Sequence, residues 1–171
     1  MASVSTADKS KPYIPLAGLA KDGFSKDGKA SATCFCGAVQ LPVEGEGLVN
    51  TFVCNCTDCR KITASMFASN FTIKDSHLEH VRGKDNLKTF SQSQSIHSGK
   101  AMTNYFCDTC GTLMYRVGER LPGVSILRIG TVDDFSLHET KLKPRQEHWV
   151  KNRVSWFTGV QGVEEVFEGQ G

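Results

Sequence analysis

No stretch of this 171-residue chain approaches the ~18 consecutive apolar residues that a membrane-spanning helix needs. A charge excess is lacking too. Twenty Lys and Arg stand against 18 Asp and Glu, a formal +2, which argues against a specialist in binding polyanions. Cysteine is too sparse for a disulfide scaffold, at seven residues, and an odd number cannot pair completely. A secretory core is missing as well: the best apolar run, Ile14 to Ala20, is broken by Pro15 and Gly18. The first arginine is Arg60, and Asp8, Asp22 and Asp27 interrupt the early lysines, unlike a mitochondrial targeting segment. The expected compartment is therefore the cytoplasm, where spaced cysteines serve metals or catalysis more often than disulfides.

What remains is a globular composition, 39% hydrophobic and 22% charged, in a chain long enough for one domain. Residues 1–30 are rich in Ser, Lys and Gly without apolar periodicity, and are expected to form a flexible N-terminal leader. Residues 31–171 are expected to form a single domain, and no internal repeat is visible. Short β-branched and aromatic runs predict strands at Ala38–Val43, Leu48–Cys54, Phe67–Ile73, Leu87–Ser91, Met102–Cys107, Leu113–Val117 and Val124–Gly130. A helical turn is expected over Cys59–Thr63, capped by Thr57 or Asp58. Neither period fits Glu147–Phe157. The fold class is mainly β with little helix.

The seven cysteines form three clusters: Cys34-x-Cys36-Gly37, Cys54-x-Cys56-x-x-Cys59 and Cys107-x-x-Cys110-Gly111. Residues i and i+2 of a strand share a face, so each C-x-C pair can grip one ion. In C-x-x-C-G the glycine lets the backbone fold beneath the metal. Counting ligands suggests a partition. Cys34, Cys36, Cys107 and Cys110 complete a closed, structural four-thiolate zinc site, while Cys54, Cys56 and Cys59 supply three thiolates to a second zinc and leave one position open. Sulfur ligands favour zinc, two ions per chain, although sulfur count alone admits iron.

Taken together, C-x-C-G, C-x-C-x-x-C-R-K and C-x-x-C-G-T-L, followed by Gly130-Thr131-Val132-Asp133-Asp134 and the stretch Trp149–Trp156, resemble the glutathione-dependent formaldehyde-activating enzymes, also called the centromere protein V-like family. The resemblance covers about residues 31–163. It implies a bent β-sheet, the β-tent fold, and the same division of cysteines. It also implies a carbon–sulfur lyase that reversibly joins formaldehyde and glutathione to S-hydroxymethylglutathione. Two positions depart from the family pattern: Asn55 stands where His is usual, and Ala64 where Gly is common. Asn cannot take up a proton near neutral pH as His can, so a His-borne proton step is absent or moved to another group.

An open position beside three thiolates suits an incoming thiol, which coordination deprotonates. The expected partners are a small-molecule thiol such as glutathione and a small carbonyl, with no nucleic acid and no membrane. Arg60 and Lys61, next to Cys59, are candidate substrate-binding residues for a glutathione carboxylate, against the plainer reading of a solvated basic turn. His77, His80, His97, His138 and His148 lie near no cysteine cluster and read as surface or satisfied residues; Trp149, Trp156 and Phe157 read as core closure. Two other functions stay open: a non-catalytic zinc-binding interaction module, and a thiol or redox sensor.

Overall fold

A computed structural model of the chain describes residues 4–168. Eleven strands build two sheets. The small one is antiparallel, with β1 (Ser25–Lys26), β2 (Lys29–Thr33) and β3 (Gln40–Glu44) in that order. The large sheet uses β4 (Leu48–Cys54), β5 (Ala68–Lys74), β6 (Leu87–Gln92), β7 (Met102–Cys107), β8 (Leu113–Gly118), β9 (Val124–Arg128), β10 (Gln146–His148) and β11 (Glu164–Val166). Its order is β11-β10-β4-β5-β9-β8-β7-β6. All its pairings are antiparallel except those of β10, which runs parallel to β4 and to β11. Among the described residues there are also two short α-helices, α1 (Thr57–Thr63) and α2 (Phe135–His138), and five single 3-10 turns.

The mainly β expectation holds, and all seven expected strands form. Reading by period missed β1, β2, β10, β11 and α2. Short polar segments such as Gln146–His148 carry no alternation of their own; they are strands because the edge of β4 offers them backbone partners. Within the stretch 1–30, strand pairing begins at Ser25. Further up, the Tyr13 N–H donates to Asp134 (2.9 Å) and the Leu19 N–H to the Phe35 carbonyl (2.8 Å). Residues 1–3 lie outside the described residues.

Strand pleat gives the large sheet two faces. One face buries Phe71, Ile73, Tyr115 and Leu127 against Ala30, Ala32, Leu41 and Val43 of the small sheet, and this is the main core. The opposite face carries the alternate residues: Asn50, Phe52 and Cys54 on β4, Asn70 and Thr72 on β5, Ile126 on β9 and Arg116 on β8. It is this face that meets the cavity described below.

The end of α1 explains one of the two departures. Its C-cap, Ala64, sits in the left-handed region (φ 51°, ψ 34°), with its N–H turned back to the Arg60 and Lys61 carbonyls. That conformation costs an L-residue about 1–2 kcal/mol, whereas glycine adopts it freely at an entropic cost of about 0.5–1 kcal/mol. Ala64→Gly is therefore expected to stabilise the fold by about 0.5–1 kcal/mol. The check is a rise in the urea midpoint at unchanged slope; a fall contradicts it.

Candidate functional site

The structure gathers the cysteines into two groups, and all seven are free thiols. The Sγ atoms of Cys34, Cys36, Cys107 and Cys110 lie within 4.8 Å of one another, as do those of Cys54, Cys56 and Cys59. Both groups could hold a metal ion. The donor geometry suits a four-sulfur tetrahedron. A metal–sulfur bond of about 2.3 Å implies sulfurs about 3.8 Å apart, and Cys34 to Cys36 is 3.6 Å, Cys36 to Cys107 3.7 Å.

The four-sulfur group borders the main core, with two of its cysteines buried and two half-buried. Cys34 and Cys107 are buried among its apolar residues, with Cys36 and Cys110 packed beside them. Cys34 and Cys36 sit in the turn between β2 and β3; Cys107 ends β7, and Cys110 follows in the next turn. Gly37 (φ 82°) and Gly111 (φ 72°) take the left-handed conformation those turns need. Donors surround the sulfurs: the Val39 N–H points at Cys34 (3.2 Å) and the Asn86 Nδ2 at Cys107 (3.2 Å). Such N–H···S bonds favour the thiolate form that a metal requires. Burial, in the absence of an ion, pushes the Cys34 thiol up to about 12.

The three-sulfur group has another setting. Cys54 ends β4, and Cys56 is the N-cap of α1, its Sγ accepting the Cys59 N–H at 3.3 Å. The helix turn at Thr57–Thr63 is thus capped by the cysteine, not by Thr57 or Asp58 as the sequence suggested. Cys54, Cys59 and Ala68 form a small apolar cluster with Phe52, Cys56 and Trp149 around them. Among the described residues no fourth His, Cys, Asp or Glu joins the trio. All three cysteines face a cavity of about 730 Å3, large enough for a drug-sized molecule.

The walls of that cavity hold residues that sequence reading passed over. Trp149, read as core closure, lines it with its backbone in the left-handed region (φ 58°). The His97 ring meets it edge-on, with centroids 5.5 Å apart. His148 stacks on Phe52 at 4.6 Å, and burial lowers its pKa from the usual histidine value. The Ser95 hydroxyl donates to Asp58 at 2.9 Å and ties the 93–101 connection to α1. Arg116 reaches Cys59 directly, Nη1 to Sγ 3.3 Å. Hydrogen bonds from the neighbouring Cys54 and Cys56 thiols, with the nearby charges of Arg116 and Arg128, hold the Cys59 thiol well below its usual pKa. The available signal was a charged residue in the middle of an apolar strand, as in Leu113–Gly118.

Arg60 and Lys61, the candidates for a substrate carboxylate, are not among the cavity residues. The Arg60 guanidinium donates instead to the Asn152 carbonyl and to Met66 Sδ, both at 3.3 Å. Asn55, the other departure from the family pattern, is fully buried. Its Nδ2 donates to Glu147 Oε1 (2.9 Å) and to the His148 carbonyl (3.2 Å). Glu147 is itself fully buried, accepts the Val160 N–H and pairs with Arg153 at 3.3 Å. Asn55 therefore anchors the trio's loop to β10; it does not present a titrating group to the cavity.

This is a mainly β protein with two cysteine clusters able to hold metal ions, one of four sulfurs beside the main core and one of three facing a cavity. Residues 29–152 match the family described as glutathione-dependent formaldehyde-activating enzyme, and the chain belongs to that family. It is also similar to a Rhodobacter sphaeroides protein of known crystal structure, at 28% identity and a TM-score of 0.47, over 59% of this chain and 85% of that one. No curated protein matches. No helix among the described residues is long and apolar enough to cross a membrane.

Proposed function

We propose that the protein is a zinc-dependent carbon–sulfur lyase-type enzyme handling glutathione adducts, forming or cleaving S-hydroxymethylglutathione from formaldehyde and glutathione. In this reading Cys34, Cys36, Cys107 and Cys110 hold a structural zinc, and Cys54, Cys56 and Cys59 hold a second zinc with an open position. The observation that carries it is the contrast between the groups: four sulfurs that make up a full tetrahedral donor set among themselves, and three that no fourth His, Cys, Asp or Glu joins among the described residues and that face a 730 Å3 cavity. Zinc at the trio would supply a position where an external thiol binds as its thiolate.

The chain's own residues do the rest. Phe52, Ile126 and Trp149 give the cavity an apolar wall beside the sulfurs. Thr72 and Asn152 offer polar atoms along the same cavity to the peptide groups of a glutathione-sized ligand. Asn55, held by Glu147, keeps Cys54 and Cys56 in register without taking part in proton transfer. That step falls to solvent or to another cavity group.

The test is adduct exchange between formaldehyde and glutathione, with metal content measured on the same preparation. About two zinc ions per chain and a rate above the uncatalysed one are expected. No acceleration at any zinc loading removes the assignment.

A further inference from the structure

Arg116 and Arg128 are 7% and 6% exposed. A buried charge costs several kcal/mol unless it is paired. Yet among the described residues neither makes an ion pair with a carboxylate. Arg116 gives Nη1 to Cys59 Sγ, while its Nε has no partner. Arg128 gives Nη1 to Asn70 Oδ1, and its Nε and Nη2 have none. Strand pleat puts both arginines on the cavity side, Arg128 two residues beyond Ile126 on β9. Two buried guanidiniums with no carboxylate partner thus stand beside one sulfur cluster, which is the negative charge they face.

We infer that Arg116 and Arg128 are charge-balancing residues that make the trio's centre select a ligand binding as a singly charged soft anion, a thiolate, over a neutral one. This rests on the function proposed above. A divalent ion with three thiolates carries −1, and a fourth thiolate makes it −2. The two guanidiniums bring the buried unit to zero. A neutral ligand in the same position leaves it at +1, still unbalanced. The incoming S–H releases its proton to solvent, and its sulfur takes the open position. Arg116 acts through Cys59, not on the substrate carbon, so it is a positioning residue and not a catalytic one.

The experiment titrates cobalt-substituted protein by absorbance with three probes: 2-mercaptoethanol, glutathione and imidazole. Arg116→Met keeps the length of the stem and removes the charge; Arg116→Lys keeps the charge. R116M is expected to weaken 2-mercaptoethanol binding tenfold or more and to leave imidazole binding within about twofold, while R116K recovers most of the loss. Arg128→Met carries the same expectation and decides the matter if R116M does not fold. Equal weakening of thiol and imidazole, or no weakening, overturns the inference. So does a loss confined to glutathione, which would mean that the arginine reads a carboxylate. Failure of both Met variants to fold overturns it in favour of a purely structural role. If wild-type protein takes up no thiol at all, the proposed function fails and this inference falls with it. If wild type and R116M bind thiol alike, only the inference fails.

Discussion

Cys107→Ser is expected to abolish accumulation of folded protein. The Cys107 side chain is completely buried, at the point where β7 runs into the turn that carries Cys110. Its group links Cys34 to Cys110, and so ties the hairpin of the small sheet to β7 of the large one. In small zinc modules the metal contributes about 10–16 kcal/mol to folding, as much as or more than the ~5–15 kcal/mol net stability of a whole domain. Serine is a poor zinc ligand, and it leaves a hydroxyl in a site built for a soft sulfur acceptor. Soluble yield should fall steeply. Whatever protein is recovered should have about one zinc ion fewer and a thermal midpoint lowered by more than 10 °C, since 1 kcal/mol moves a domain of this size by roughly 2–4 °C.

Cys56→Ser is expected to do the reverse: to spare the fold and remove the activity. Cys56 is the N-cap of α1, with extended backbone (φ −60°, ψ 154°) and its side chain accepting the Cys59 N–H. Serine is among the best residues for that role, so the cap survives the exchange. The trio belongs to a small cluster apart from the main core, so its loss does not unlock the two sheets. What disappears is one of three thiolates. Weakening a metal site through an outer partner alone costs 10–100-fold; losing a ligand should cost at least about 100-fold in adduct exchange. The second metal should be lost on dialysis while circular dichroism stays unchanged. Collapse of Cys56→Ser to the same extent as Cys107→Ser would contradict the division of labour between the groups.

The cysteine pattern was legible because metal ligation imposes local spacing. A C-x-C pair or a C-x-x-C-G turn has to present its sulfurs within a few residues, whatever the rest of the chain does. The seven strands from Gln40 to Arg128 were legible for a related reason, since β-branched and aromatic runs between turn residues mark them without outside help. Asn55 shows the limit. Its identity set it apart, but its role depends on Glu147, ninety-two residues away. Arg116 is a second case. Position 116 in a strand is obvious, but whether its guanidinium faces solvent or a sulfur is a matter of register, and a slip of one residue would reverse it.

The sequence by itself determined the cysteine groups that could hold metal ions, their division into four and three, the mainly β class and the family. These rest on short-range covalent geometry and local preference. Only the tertiary structure decided that β10 lies parallel to β4 and anchors Asn55, that Trp149 lines a cavity, and that Arg116 and Arg128 stand beside the trio while Arg60 turns away. Those outcomes come from pairing between strands far apart in the chain, and the pleat converts that pairing into a choice of face.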